Sequence, residues 1–143
     1  MSNATRPALR RVPTPVAALV FLVLLAAHAA LLVGRKRTGW RSDALLTFDA
    51  GFYSHVSNYA LSYVLVTGIG YMWLMLGVRT RLVWMLGAVC ALVNVVYELW
   101  IPVLNTPDPR DAVYGVVGTA LAVGVLLATD RFGMRANPAL ADD

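Results

Sequence analysis

Four apolar stretches, each about as long as a membrane crossing, dominate this chain. Val16 to Val33 is apolar apart from His28, and its 18 residues reach about 27 Å at about 1.5 Å per residue. Arg35, Lys36 and Arg37 close it. Val56 to Val78 forms a second stretch, with a polar first half carrying Asn58 and Ser62 just after His55. Leu82 to Ile101 is the third and holds Asn94 and Glu98, with Pro102 behind it. Ala112 to Thr129 is the fourth. Between the first two, residues 40–54 mix apolar and polar positions between Trp40 and Tyr53, the pattern of a short helix lying in the interface. Arg79-Thr80-Arg81 reads as a tight turn. Thr106 and Asp108 are each followed by Pro, so either can cap the last helix. The pattern predicts an all-α, polytopic four-helix bundle made by a single domain over residues 1–143.

Composition points the same way. Of 143 residues, 59% are hydrophobic and 14% charged, against about 25% charged in soluble domains. Mean hydropathy is +0.65. A cleaved leader is the competing reading of the first stretch, because Ala27-His28-Ala29 has small residues around one position. The apolar run continues past that point to a basic stop, which favours a retained helix. The single cysteine, Cys90, excludes an intrachain disulfide and reads as a small core residue.

The net charge of +4 does not indicate nucleic acid, because the basic residues flank apolar segments and face lipid headgroups. With four spans both termini share one side. That side carries seven Lys and Arg residues against five on the other, which favours cytoplasmic termini in a multi-pass cell-membrane protein. The flanks of the first helix alone, three against four, favour the reverse.

Candidate chemistry is segregated by depth. The second stretch begins on the side where the third ends and the fourth begins. His55, Asn58, Asn94, Glu98, Asp108 and Asp111 therefore gather near one membrane face, with His28 toward it. His55, Asn58 and Ser62 fall on one helical stripe, and Asn94 and Glu98 are four apart. A carboxylate inside lipid is costly, so Glu98 should face the bundle. The ligand-binding set expected from these patterns is Glu98, Asp111, His55, Asn94 and Asn58. Capping competes as an explanation of Asp111, and helix–helix hydrogen bonding as one of His28. Gly115 and Gly118 read as a face admitting another helix, from this chain or a partner. Metal binding by His28, His55, Glu98 and Asp111 has no supporting local spacing, and neither a nucleotide loop nor a G-x-S-x-G elbow is present. No cofactor or metal is expected.

Glu98 through Gly118 resembles the VanZ-like family of small bacterial membrane proteins. In that family a Glu near the end of one helix precedes an Asp that opens the next, with Asn and Gly four and seven positions on. Tyr97-Glu98-Leu99-Trp100 supplies the acid, and Asp111-Ala112-Val113-Tyr114-Gly115-Val116-Val117-Gly118 supplies the Asp and the final Gly. His55 fits the His that opens an earlier helix. Gly115 stands where the family has Asn, Ile101 stands where a Gln is common, and Asp49 lies six residues before His55. The resemblance implies a cell-envelope context, and the leading expectation is a non-enzymatic protein that binds a lipid, headgroup or envelope component through the polar half of its bundle. Two alternatives stand beside it. One is an enzyme acting on a lipid head group through a His55–Glu98 pair. The other is an accessory subunit meeting a membrane partner, or a second copy, through the Gly115/Gly118 face.

Overall fold

The computed structural model describes residues 9–101 and 107–140. In chain order these form β1 (Arg11–Pro13), α1 (Pro15–Lys36), α2 (Asp43–Phe48), α3 (Phe52–Met75), α4 (Thr80–Trp100), α5 (Pro109–Ala128) and β2 (Met134–Ala136). Pro102 and Thr106, expected at a helix end and a cap, lie outside the described residues.

Local chemistry explains the boundaries. The Thr14 hydroxyl accepts the Ala17 N–H at 3.2 Å and Pro15 opens α1, while Arg35 and Lys36 sit in its last turn, where cations meet free carbonyls. The Asp108 carboxylate accepts the Arg110 N–H at 2.9 Å and Pro109 opens α5. α3 ends at Met75, and Gly77 just beyond its cap takes a φ of +72° that suits glycine. The turn to α4 therefore lies before Arg79, and Thr80 and Arg81 already belong to the helix. α3 also starts earlier than the apolar pattern indicates. Phe52, Tyr53 and Ser54 are its first turn, so the expected interfacial helix is only the six residues of α2, with a 3-10 turn at Thr38–Trp40 before it.

Three helices are long and apolar enough to cross a membrane: α1, α4, and α5 extended to Gly133. α3 has 24 residues but is too polar to join them. It is also the most enclosed, with Val56, Ala60, Val66, Thr67 and Leu74 fully buried. A helix covered by neighbours has little lipid to satisfy, so polar groups on it can be paired internally. α5 packs along both α3 and α4, α1 packs on α3, and α4 touches α3 more sparingly. Large apolar side chains such as Leu19, Val23, Met85, Leu92 and Leu121 face outward.

The two flanks, which the sequence presents as polar tails, pair as an antiparallel ribbon with Val12 opposite Arg135. Three-residue strands carry too little periodicity to be seen in advance. A five-residue π-helical turn, Thr129–Gly133, swings the chain from α5 into β2. Arg11 pairs with the Asp130 carboxylate and donates to its carbonyl at 2.8 Å, and Thr80 donates to the same carboxylate at 2.7 Å. The Arg10 N–H reaches the Met75 carbonyl at 2.9 Å. Both flanks and the α3–α4 turn are thus gathered at one end. The other end holds residues 34–51, the end of α4 and the start of α5.

Candidate functional site

Three rungs of polar pairs descend α3 from that second end. At the top, His55 Nδ1 lies 2.9 Å from Asp111 Oδ1 and 3.7 Å from Asp108 Oδ2. One turn deeper, the Asn58 amide donates to Glu98 Oε1 at 3.1 Å. Deeper again, Asn94 Nδ2 donates to the Ser62 hydroxyl at 3.0 Å, and also to the Cys90 carbonyl at 2.9 Å. The expected stripe on α3 is therefore real, and each of its members meets a different helix-borne partner. All five expected ligand-binding residues take part. Glu98 is 3% exposed, so its carboxylate lies within the bundle wall.

Glycines let these rungs close. A side-chain carbon at position 115 would collide with the Asn94 amide, and one at 118 with the Tyr59 backbone carbonyl. The Gly115/Gly118 face thus admits α4 and α3 of the same chain. His28 joins α1 to this packing. Its Nε2 is 3.2 Å from the Tyr59 hydroxyl and its ring stacks on Tyr63 with centroids 3.5 Å apart.

Around the mouth, several participants are not foreshadowed by spacing. Tyr114 donates to Asp49 Oδ2, and the Gly51 N–H donates to Asp49 Oδ1 at 2.8 Å. The Tyr114 hydrogen bond, then the Gly51 N–H and the nearby Arg110 charge, hold the Asp49 carboxyl below the usual carboxylate range against the effect of burial. Arg35 reaches from the end of α1 to the Ser57 hydroxyl, and Arg41 donates to the Gly34 carbonyl at 3.0 Å. Arg35, from the expected basic stop, and Arg41 beyond it are thus partly committed inside the chain. Asp108 is more than a cap, because Oδ1 takes the Arg110 N–H while Oδ2 turns to His55. Nothing in the linear pattern links residue 49 to 114. The Asp108/Asp111 pair was legible as two acids at a helix start, but its third member comes from another helix.

A groove of about 350 Å³ opens between α3 and α4, which pack on each other more sparingly than either packs on α5. It is lined by Asn58, Ser62 and Asn94 and, interleaved with them, by Leu61, Leu65, Cys90 and Val93. His55 pairs with Asp111 and lies near Asp108, while Glu98 accepts from the Asn58 amide. Comparison with known protein families, characterised proteins and solved structures finds no match for this chain.

Proposed function

We propose that this is a four-pass, VanZ-like protein of the bacterial cell envelope that binds a lipid through its headgroup, without catalysing a reaction. The observation that carries this reading is the α3–α4 groove, which Asn58, Ser62 and Asn94 line together with the aliphatic Leu61, Leu65 and Val93. A lipid likewise carries both polar and aliphatic groups. Its polar part would meet Asn58 and Asn94, and an acyl chain would follow Leu61, Leu65 and Val93. Glu98 stands behind Asn58 and orients that amide.

The fourth crossing is α3. Its 24 residues span about 36 Å at about 1.5 Å each. The pairing of β1 with β2 supports it, because flanks joined on one side require an even number of crossings. The larger share of Lys and Arg on that side favours cytoplasmic termini and an outward-facing polar mouth. The VanZ-like reading gains support from position 115. The amide that the resemblance places there enters the same space from Asn94 on α4.

Thermal unfolding of delipidated protein in detergent, with lipids of different headgroup added one at a time, tests the function. Wild type should gain stability from some headgroups and not others. Leu61→Trp, which fills the groove without touching the polar rungs, should keep its basal melting temperature and lose that gain. Equal gains from every lipid, or a gain that survives Leu61→Trp, would reduce the groove to a packing defect and favour an accessory role.

A further inference from the structure

The mouth of the bundle carries a second arrangement, separate from the groove. We propose that His55, Asp108 and Asp111 form a binding site for a divalent transition-metal ion of the zinc or manganese type. One imidazole nitrogen and two carboxylate oxygens, from the start of α3 and the start of α5, lie within 4.8 Å of one another. The separations from Nδ1 are 2.9 Å and 3.7 Å. Donors held about 2.0–2.2 Å from a metal stand roughly 2.8–3.6 Å apart at octahedral or tetrahedral angles. The two carboxylates lie within 4.8 Å of each other as well, so rotation of the part-exposed Asp108 side chain toward Asp111 would bring all three donors onto one ion.

The imidazole separates this group from an ordinary acidic helix start. Capping α5 needs only Asp108 Oδ1, and it leaves Oδ2 turned toward His55. Asp111 then turns to the ring instead of the free N–H groups of its own helix. As the Nε2–H tautomer, His55 would offer the Nδ1 lone pair to the metal. The ring lies against Tyr114, with centroids 5.4 Å apart. Beyond Nε2, the missing side chain of Gly51 leaves space. A carbon there would sit 3.7 Å from Nε2, 3.3 Å from Asp49 Oδ1 and 3.8 Å from Arg110 Nη1.

Charge fits as well. Asp49, Asp108 and Asp111 bring three negative charges and Arg110 one positive, leaving a deficit that one divalent ion neutralises. Nitrogen and oxygen donors without a thiolate suit zinc, manganese or cobalt over copper(I). The side chains of His55, Asp108 and Asp111 are 12%, 39% and 17% exposed, so the site is open to an ion arriving from the aqueous side. Three protein donors leave further positions for water or an anionic oxygen. His28 and Glu98, the other residues that composition alone would nominate, belong to other contacts.

The test is metal uptake by the full chain in detergent, after chelator treatment, with Zn2+ alone as titrant and Co2+ as spectroscopic substitute. One Zn2+ should bind per chain, and the Co2+ spectrum should show nitrogen and oxygen ligation. His55→Ala and Asp111→Asn should each weaken binding by about tenfold or more. Asp108→Asn keeps a capping oxygen and so preserves the helix start, yet should weaken binding similarly. Asp43→Asn, an acid elsewhere on the same side, should bind as wild type does. A folded wild type that takes up no ion would overturn the assignment. So would uptake that Asp108→Asn and His55→Ala leave unchanged, or a Co2+ spectrum without nitrogen ligation.

Discussion

The Asn94 side-chain amide occupies the space that a side chain at position 115 would need. α4 and α5 thus interlock through an amide on one helix and a missing side chain on the other. Gly115→Ala should displace Asn94 from Ser62 and cost about 1–3 kcal/mol, the usual penalty of overpacking. Thermal unfolding in detergent measures it. Exchanging the two residues, Asn94→Gly with Gly115→Asn, should recover much of the loss, because the amide returns from the other side. A Gly115→Ala protein as stable as wild type would mean that the helices separate at no cost.

Gly118 faces a backbone, which is a harder neighbour. A carbon at 118 would strike the Tyr59 carbonyl, whereas nothing lies within 4 Å of one at Gly124 on the same helix. Gly118→Ala should therefore lower the melting temperature far more than Gly124→Ala. Gly124→Ala should be neutral or slightly stabilising, since glycine costs a helix interior about 0.5–1 kcal/mol relative to alanine. Equal effects at both positions would show that α3 and α5 do not approach as closely as described.

Asn58 and the buried Glu98 form a hydrogen-bonded pair. Removing the amide by Asn58→Ala takes a hydrogen bond from a carboxyl that is 3% exposed. Stripping a partner from a buried polar group costs about 1–3 kcal/mol, and more where the group is charged. Glu98→Gln in the Asn58→Ala background should restore part of that stability, since a neutral amide is cheaper to bury than a carboxylate. A double mutant as unstable as the sum of its single changes would mean that the two side chains act independently.

At the mouth, the Tyr114–Asp49 contact predicts a pH dependence. The Asp49 carboxyl is held below its ordinary value in the folded protein. Its contribution to stability is therefore complete above the usual carboxylate range and is lost as pH falls through the depressed folded value. Melting temperatures of wild type and Asp49→Asn should differ at neutral pH and converge in acid. Tyr114→Phe should remove most of the difference at every pH. A gap between wild type and Asp49→Asn that stays constant into acid would assign the effect to packing.

Topology gives a prediction on another scale. In a Cys90→Ser background, a cysteine at Ser42 and one at Arg135 should be labelled by impermeant reagents from opposite membrane faces. Labelling from one face would remove α3 as a crossing. Arg11→Ala should loosen the pairing of the two flanks and speed proteolysis near Arg135, because the Arg11–Asp130 contact ties β1 to the end of α5.

What the sequence by itself determined lies along the helix axes. Apolar length marked α1, α4, α5 and most of α3. Thr106-Pro107 and Asp108-Pro109 marked the two places where the last helix could begin, because a side-chain acceptor followed by proline meets the needs of a first turn, and Asp108 is the cap. Depth was legible too, since a constant rise per residue places His55, Asn58, Asn94, Glu98 and Asp111 toward one end. Tertiary structure alone decided what lies around each axis. In lipid an apolar face looks the same whether it meets a neighbour or an acyl chain, so periodicity does not say which faces pack. The most apolar helix, α1, is largely exposed, and the polar α3 is the one the others cover. The partnerships that follow from those rotations are Asn94 with Gly115, Tyr114 with Asp49, and His55 with Asp108 and Asp111. Each joins residues whose distance in sequence holds no information about their distance in space.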